Sequence, residues 1–84
     1  MAIEIYNANI NIFLKPTVND PQGITVKSAL QSLGFFLENV RVGKFIEISL
    51  EANSREHAYE IAIDMCEKLL ANTIIEKYTV NIDE

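Results

Sequence analysis

Between residues 6 and 14 hydrophobic and polar positions alternate. Tyr6, Ala8, Ile10, Ile12 and Leu14 fall on one side, and Asn7, Asn9 and Asn11 on the other. A period of two predicts a strand with one face buried. Phe13 interrupts the polar row and is expected to help cover the second face. Lys15–Asn19 then reads as a loop. Asp20 is a good N-cap, and Pro21 suits the first helical position, where its missing N–H is not needed. Val26, Ala29, Leu30 and Leu33 follow at i, i+3, i+4 and i+7, which predicts an amphipathic helix. Gly34 fits the left-handed position after its end, with Phe35 folding back on Leu30.

The middle of the chain is less clear-cut. Val40, Val42, Ile46, Ile48 and Leu50 share one parity across Gly43. A two-residue turn at Gly43-Lys44 would set Val40 opposite Glu47 and mix apolar with charged on one face. Parity favours one long strand bent at Gly43; a three-residue loop, Gly43–Phe45, is the alternative. Asn53 with Glu56 three residues on resembles a capping box. Ala58, Ile61, Ala62, Met65 and Leu69 mark a second helix, whose outer face carries Glu56, Glu60, Asp64, Glu67 and Lys68. Asn72 is expected to end it in the left-handed conformation. A last strand places Ile74, Tyr78, Val80 and Ile82 inward, and Lys77, Thr79, Asn81 and Asp83 outward. The order is β-α-β(β)-α-β, an α+β two-layer sandwich with two helices on one face of a sheet. With an unsplit middle strand, right-handed crossovers would run all three strands the same way. Residues 1–84 are expected to form a single domain.

At 84 residues the chain can bury only about 60–65% of the surface its unfolded form exposes. Ordering costs roughly 1.5 kcal/mol per residue, so a core of this size has little surplus. One cysteine, Cys66, excludes an internal disulfide, and one histidine, His57, leaves a four-ligand zinc site without donors. Self-association is the remaining support, and a hydrophobic fraction of 49% can supply an interface. A net charge of −5, with the basic residues scattered, argues against nucleic-acid binding. No apolar run approaches membrane-spanning length, and the first residues lack the basic and apolar regions of a signal peptide. A soluble, cytoplasmic protein is expected.

Candidate chemistry is sparse. Cys66 falls on the packed side of its helix, far from His57, and reads as a core residue rather than a nucleophile. His57 among Glu56 and Glu60 reads as a solvated or capping side chain. The carboxylates Glu56, Glu60, Asp64 and Glu67 form an acidic ridge, and such a ridge without turn carbonyls is ordinarily a solvated face. The three glycines are isolated, so no phosphate loop is present. Lys44 and Glu76 sit at apolar parity, where an unpaired charge is unfavourable. Either bends at Gly43 and Ile74 turn them outward, or they pair, within one chain or across a dimer. Arg41 is placed on the opposite strand face, near Phe45 and across from the asparagine row.

Three motifs stand in order: Asp20-Pro21-Gln22-Gly23, Val40-Arg41-Val42-Gly43-Lys44, and Met65-Cys66-Glu67-Lys68-Leu69-Leu70-Ala71-Asn72-Thr73-Ile74-Ile75-Glu76, with the acidic Asp83-Glu84 behind them. In these motifs the chain resembles the PurS family, the small subunit of phosphoribosylformylglycinamidine synthase in purine biosynthesis. Met1–Glu4 ahead of the strand and the asparagine row fall outside that pattern. The resemblance implies a non-catalytic homodimer or dimer of dimers, without cofactor or metal. It would join a glutaminase subunit to an ATP-dependent synthetase subunit, so that ammonia passes between them. It also nominates Arg41, Lys44, Glu67, Asn72 and Glu76 as contact residues, with Asp20 and Gln22 behind them. The alternatives are a dimeric ferredoxin-like module that binds a small metabolite and, less supported, an acylphosphatase-type enzyme, which would need a phosphate loop beside Arg41.

Overall fold

The computed structural model describes residues 3–83. Strand β1 (Glu4–Leu14) is followed by helix α1 (Pro21–Ser32), strand β2 (Gly43–Ala52), helix α2 (Arg55–Met65) and strand β3 (Glu76–Asp83). After α2 the helix widens into a π turn over Cys66–Leu70. The α+β class and the order of elements agree with the periodicities. The strands form one sheet in the order β2-β1-β3, with β1 antiparallel to both neighbours.

That antiparallel arrangement corrects the expectation of strands all running one way. Phe13, near the end of β1, pairs with Gly43, the first residue of β2. The connection through α1 therefore leaves and returns at the same end of the sheet. Only β2-α2-β3 crosses the sheet, so β2 and β3 run parallel with β1 between them.

Only one helix covers the sheet. Small residues at i, i+4 and i+8 of the helical stretch, Ala58, Ala62 and Cys66, let α2 approach closely and are fully buried. They pack on Tyr6, Ala8, Ile10 and Ile12 of β1, with Leu50, Ala52 and Ile82 from the flanking strands. The second helix of the expected sandwich stands off instead. Along α1, Val26 and Ala29 are exposed, Leu30 is half-buried and Leu33 is 74% exposed. Phe35 and Phe36 beyond it are exposed as well. The radius of gyration shows the same thing: 16.6 Å, against about 12 Å for a globular chain of this length. The periodicity that predicted the helix was sound, but the stripe has no surface of its own chain to meet.

Local details follow from identifiable contacts. The α1 C-terminus closes as expected: Gly34 has φ +97°, its N–H donates to Gln31 O, and the Phe35 N–H donates to Leu30 O. β2 begins at Gly43, so Val40–Val42 is not strand, and Arg41 lies in the preceding loop rather than on a strand face. The N-cap of α2 is Ser54, not Asn53; its hydroxyl oxygen accepts from the His57 N–H (3.0 Å). His57 Nδ1 in turn accepts from the Asn53 N–H (3.0 Å), so the imidazole completes the cap where Glu56 was expected. The π turn brings Leu70 round onto the core and leaves Leu69 83% exposed, a reversal of the predicted stripe. Asn72 is not left-handed; among the described residues only Gly34 has a positive φ. Ile74 precedes β3 and is 81% exposed.

Gly23 is buried in the first turn of α1, where an added Cβ would lie 2.3 Å from the Val40 carbonyl oxygen. In an open helix Gly→Ala gains about 1 kcal/mol. Here the backbone clash reverses the sign: Gly23→Ala is expected to destabilise by about 1–3 kcal/mol in urea unfolding. A stabilised variant would show that α1 can move away from Val40.

Candidate functional site

The nominated residues gather at the end of the sheet where α1 departs. Asp20 is buried, with 4% of its surface exposed. Its Oδ1 accepts from the Gly23 N–H (2.9 Å) as the cap of α1, and its Oδ2 accepts from the Val42 N–H (2.8 Å). Arg41 Nε lies 3.9 Å from the same oxygen. The Arg41 guanidinium also donates through Nη2 to the carbonyls of Lys15 (3.0 Å), Val18 (3.2 Å) and Leu14 (3.5 Å). Arg41 is thus engaged with the backbone of the β1–α1 loop. Its task is to hold that loop on the segment leading into β2.

On the other side of β1, Lys44 and Glu76 meet. Lys44 is opposite Ile12 on β2, Glu76 is opposite Leu14 on β3, and their side chains approach to 3.7 Å across the end of β1. Of the two readings open from the sequence, pairing within one chain is the one found. The Lys44 side chain is 60% exposed, so the pair is worth less than about 1 kcal/mol. Glu76 is more enclosed, and its Oε1 accepts from the Asn72 N–H (2.7 Å). The Asn72 carbonyl accepts in return from the Ile75 and Glu76 N–H groups. Asn72 Oδ1 accepts from the Ile74 N–H (3.2 Å). Asn72 and Glu76 together therefore lock the turn into β3.

A cleft of about 320 Å³ lies between these two clusters, with Asp20, Gln22, Gly43, Lys44 and Glu76 among its lining residues. Asp20, Gln22, Arg41, Lys44, Asn72 and Glu76 thus belong to one neighbourhood. Glu67 does not join them. It sits on the π turn and accepts from the Tyr78 hydroxyl (2.5 Å). That bond is the main reason the Tyr78 hydroxyl is pushed up to about 12, with burial adding to it.

The chemistry on offer is recognition. Cys66 is buried, and burial followed by the Glu67 charge raises its thiol above the ordinary range, the opposite of an activated nucleophile. His57 is part of the α2 cap at the far end of β2 from the cleft. Among the described residues no group of three or more His, Cys, Asp or Glu is placed to hold a metal ion. No helix among them is long and apolar enough to cross a membrane.

Comparison with known proteins gives this geometry a family. The profile of PurS, described as phosphoribosylformylglycinamidine (FGAM) synthase, matches residues 7–84. The chain belongs to the PurS family. It is 45% identical to the PurS subunit of that synthase from Synechocystis sp., over 92% of this chain and 78% of the relative. Among solved structures it is similar to the PurS subunit of Thermotoga maritima, with a TM-score of 0.90 at 32% identity over 99% of this chain and 97% of that one. A chain in the structure of PurLQS from the same organism aligns with a TM-score of 0.88 at 33% identity, covering 95% and 99%. The PurS fold therefore includes α1 as a defined element, and the chain's function is that of a synthase subunit in purine biosynthesis.

Sequence reasoning missed three connections. Ser54 and His57 have capping-box spacing that was masked by the neighbouring Asn53–Glu56 match. Arg55 donates to the Ile82 carbonyl through Nε (3.2 Å) and Nη2 (3.0 Å), a contact between distant segments with no local signature. The Tyr78–Glu67 bond likewise needs α2 and β3 to be packed before it exists.

Two pH responses follow. The N–H groups of Val42, then Gly23, hold the Asp20 carboxyl below its ordinary 3.8; Arg41 adds to this and burial opposes it. A lowered value stabilises the fold above the unfolded carboxyl's 3.8, and that contribution is lost as pH falls below it. Asp20→Asn is therefore expected to lower Tm by about 5–10 °C near neutrality, with the gap to wild type closing in melts below pH 3.8. A pH-independent gap would contradict this. Tyr78, raised above its ordinary 10, supplies stability that is present below pH 10 and lost as pH climbs toward 12. Absorbance titration at 295 nm is expected to show one late-ionising tyrosine, which moves back toward 10 in Glu67→Ala. A variant titrating like wild type would mean that the bond is not formed in solution.

Proposed function

We propose that this chain is the non-catalytic assembly subunit of a cytoplasmic phosphoribosylformylglycinamidine synthase. It would join a glutaminase subunit to an ATP-dependent synthetase subunit, so that ammonia released by one reaches the other. The observation that carries the reading is its likeness, over 95% of its length, to a chain of the Thermotoga maritima structure named PurLQS. The physical picture supports it. Leu33, Phe35 and Phe36 form an exposed apolar arm, and an isolated soluble chain seldom leaves such a surface bare. Self-association through part of this surface belongs to the same reading. Asp20, Gln22, Arg41, Lys44, Asn72 and Glu76 shape the cleft at the base of the arm, and Glu67 the end of α2. These are the positions we assign to contacts within the assembly.

Light scattering on gel-filtered mixtures with the glutaminase and synthetase subunits tests this. Under ATP, magnesium and glutamine a ternary complex is expected only when the chain is present, and glutamine-dependent synthase activity should require it. The charge reversal Lys44→Glu, on an exposed side chain, should reduce complex formation without unfolding the protein. Failure to bind either enzyme would remove the assembly role. Thermal stabilisation by a small metabolite would then favour the regulatory module.

A further inference from the structure

We infer that the cleft at the base of the arm receives a carboxylate side chain of a partner enzyme subunit, held by Lys44 and Gln22. In the free chain Glu76 stands in for that carboxylate. The inference rests on the assembly reading above and names the chemistry of one of its contacts. Four of the six residues gathered at this end are already engaged within the chain. Asp20 takes two N–H groups and faces Arg41, and Arg41 donates to the loop carbonyls. Asn72 and Glu76 close the turn into β3. The Lys44 ammonium and the Gln22 amide are left to face outward, and both residues line the cleft.

The Lys44 ammonium carries three donors, and its one ionic contact among the described residues is Glu76 Oε2 at 3.7 Å. That separation is beyond hydrogen-bond range, so the donors stay open. The Lys44 side chain is 60% exposed and that of Glu76 only 15%. Glu76 is anchored besides through Oε1 on the Asn72 N–H. The carboxylate is therefore the fixed member of the pair, and the ammonium can turn to a second acceptor without disturbing the turn. Gln22, exposed in the first turn of α1, makes no side-chain hydrogen bond among the described residues. Its amide offers two further donors. Leu14, Pro21 and Val42 line the same cleft and shield a contact there from water, which strengthens it.

The charge distribution favours an anion at this end. Residues 15–44 hold four of the seven basic residues, Lys15, Lys27, Arg41 and Lys44, and two of the twelve acidic ones, Asp20 and Glu38. The stretch is thus net positive within a chain of net charge −5. An incoming carboxylate meets the basic part of an acidic molecule, whereas a partner's lysine or arginine would be drawn elsewhere.

Fluorescence anisotropy of the chain, labelled at its N-terminus and titrated with the glutaminase and synthetase subunits under ATP, magnesium and glutamine, gives Kd for each variant. Lys44→Gln is expected to weaken binding about tenfold and to flatten its salt dependence. Glu76→Gln keeps an Oε1 for Asn72 but removes the internal competitor, so binding should tighten about threefold. Gln22→Glu separates recognition from stability. A negative charge in the first turn of α1 suits the helix dipole and should leave Tm unchanged or raised, while binding weakens about tenfold. Weakening by Glu76→Gln together with tightening by Gln22→Glu would mean that the cleft takes a cation, and would overturn the proposal. Unchanged Kd in both Lys44→Gln and Gln22→Glu would overturn it too, with the assembly role intact. Free glutamate that raises the Tm of the isolated chain, but not of Lys44→Gln, would assign the cleft to a small acid instead. A wild-type chain that binds neither enzyme would remove the assembly reading and this contact with it.

Discussion

The Asp20 carboxylate governs how the arm leaves the body of this molecule. One oxygen caps α1, while the other takes the Val42 N–H and faces Arg41. Arg41 then gathers three carbonyls of the loop between β1 and α1. A buried carboxylate needs such partners to remain charged, and in meeting that need it fixes the loop, the start of the helix and the entry to β2 relative to one another. Gly23 completes the joint, because only a residue without Cβ lets the helix approach the Val40 carbonyl. The cleft at the base of the arm is a consequence of this joint, since Gln22 and Lys44 sit on the two segments it holds together.

Once α1 is committed to that direction, the body must be stabilised by what remains. β1 is paired on both sides, and α2 presses alanines and Cys66 onto it. The π turn adjusts the end of α2 so that Leu70 reaches the core, and Glu67 on the same turn is anchored by Tyr78. The result is a small, firmly packed half-sandwich carrying an arm with exposed apolar side chains. A subunit that works by fitting others together has to keep such surface available, which accounts for the exposed Leu33, Phe35 and Phe36.

The pairing of Lys44 with Glu76 and the turn lock of Asn72 on Glu76 link the cleft to the start of β3.

Much of this was legible in the residues themselves. Period two marked β1 and its buried set. Helical spacing marked α1 and α2, and Asp20, Pro21 and Gly34 marked the ends of α1 through contacts within a few residues. Most of the residues nominated by the family motifs, Asp20, Gln22, Arg41, Lys44, Asn72 and Glu76, lie near one another in the fold, and Glu67 lies apart. Strand direction, the departure of α1 from the sheet and the start of β2 were decided by tertiary structure, because each depends on where a distant segment lies. Arg41 reads as a strand residue until Asp20 and the loop carbonyls claim it. Leu69 reads as core until the π turn substitutes Leu70. Local pattern determines which face of an element is apolar; what covers that face is set by contacts between remote parts of the chain, or by another chain altogether.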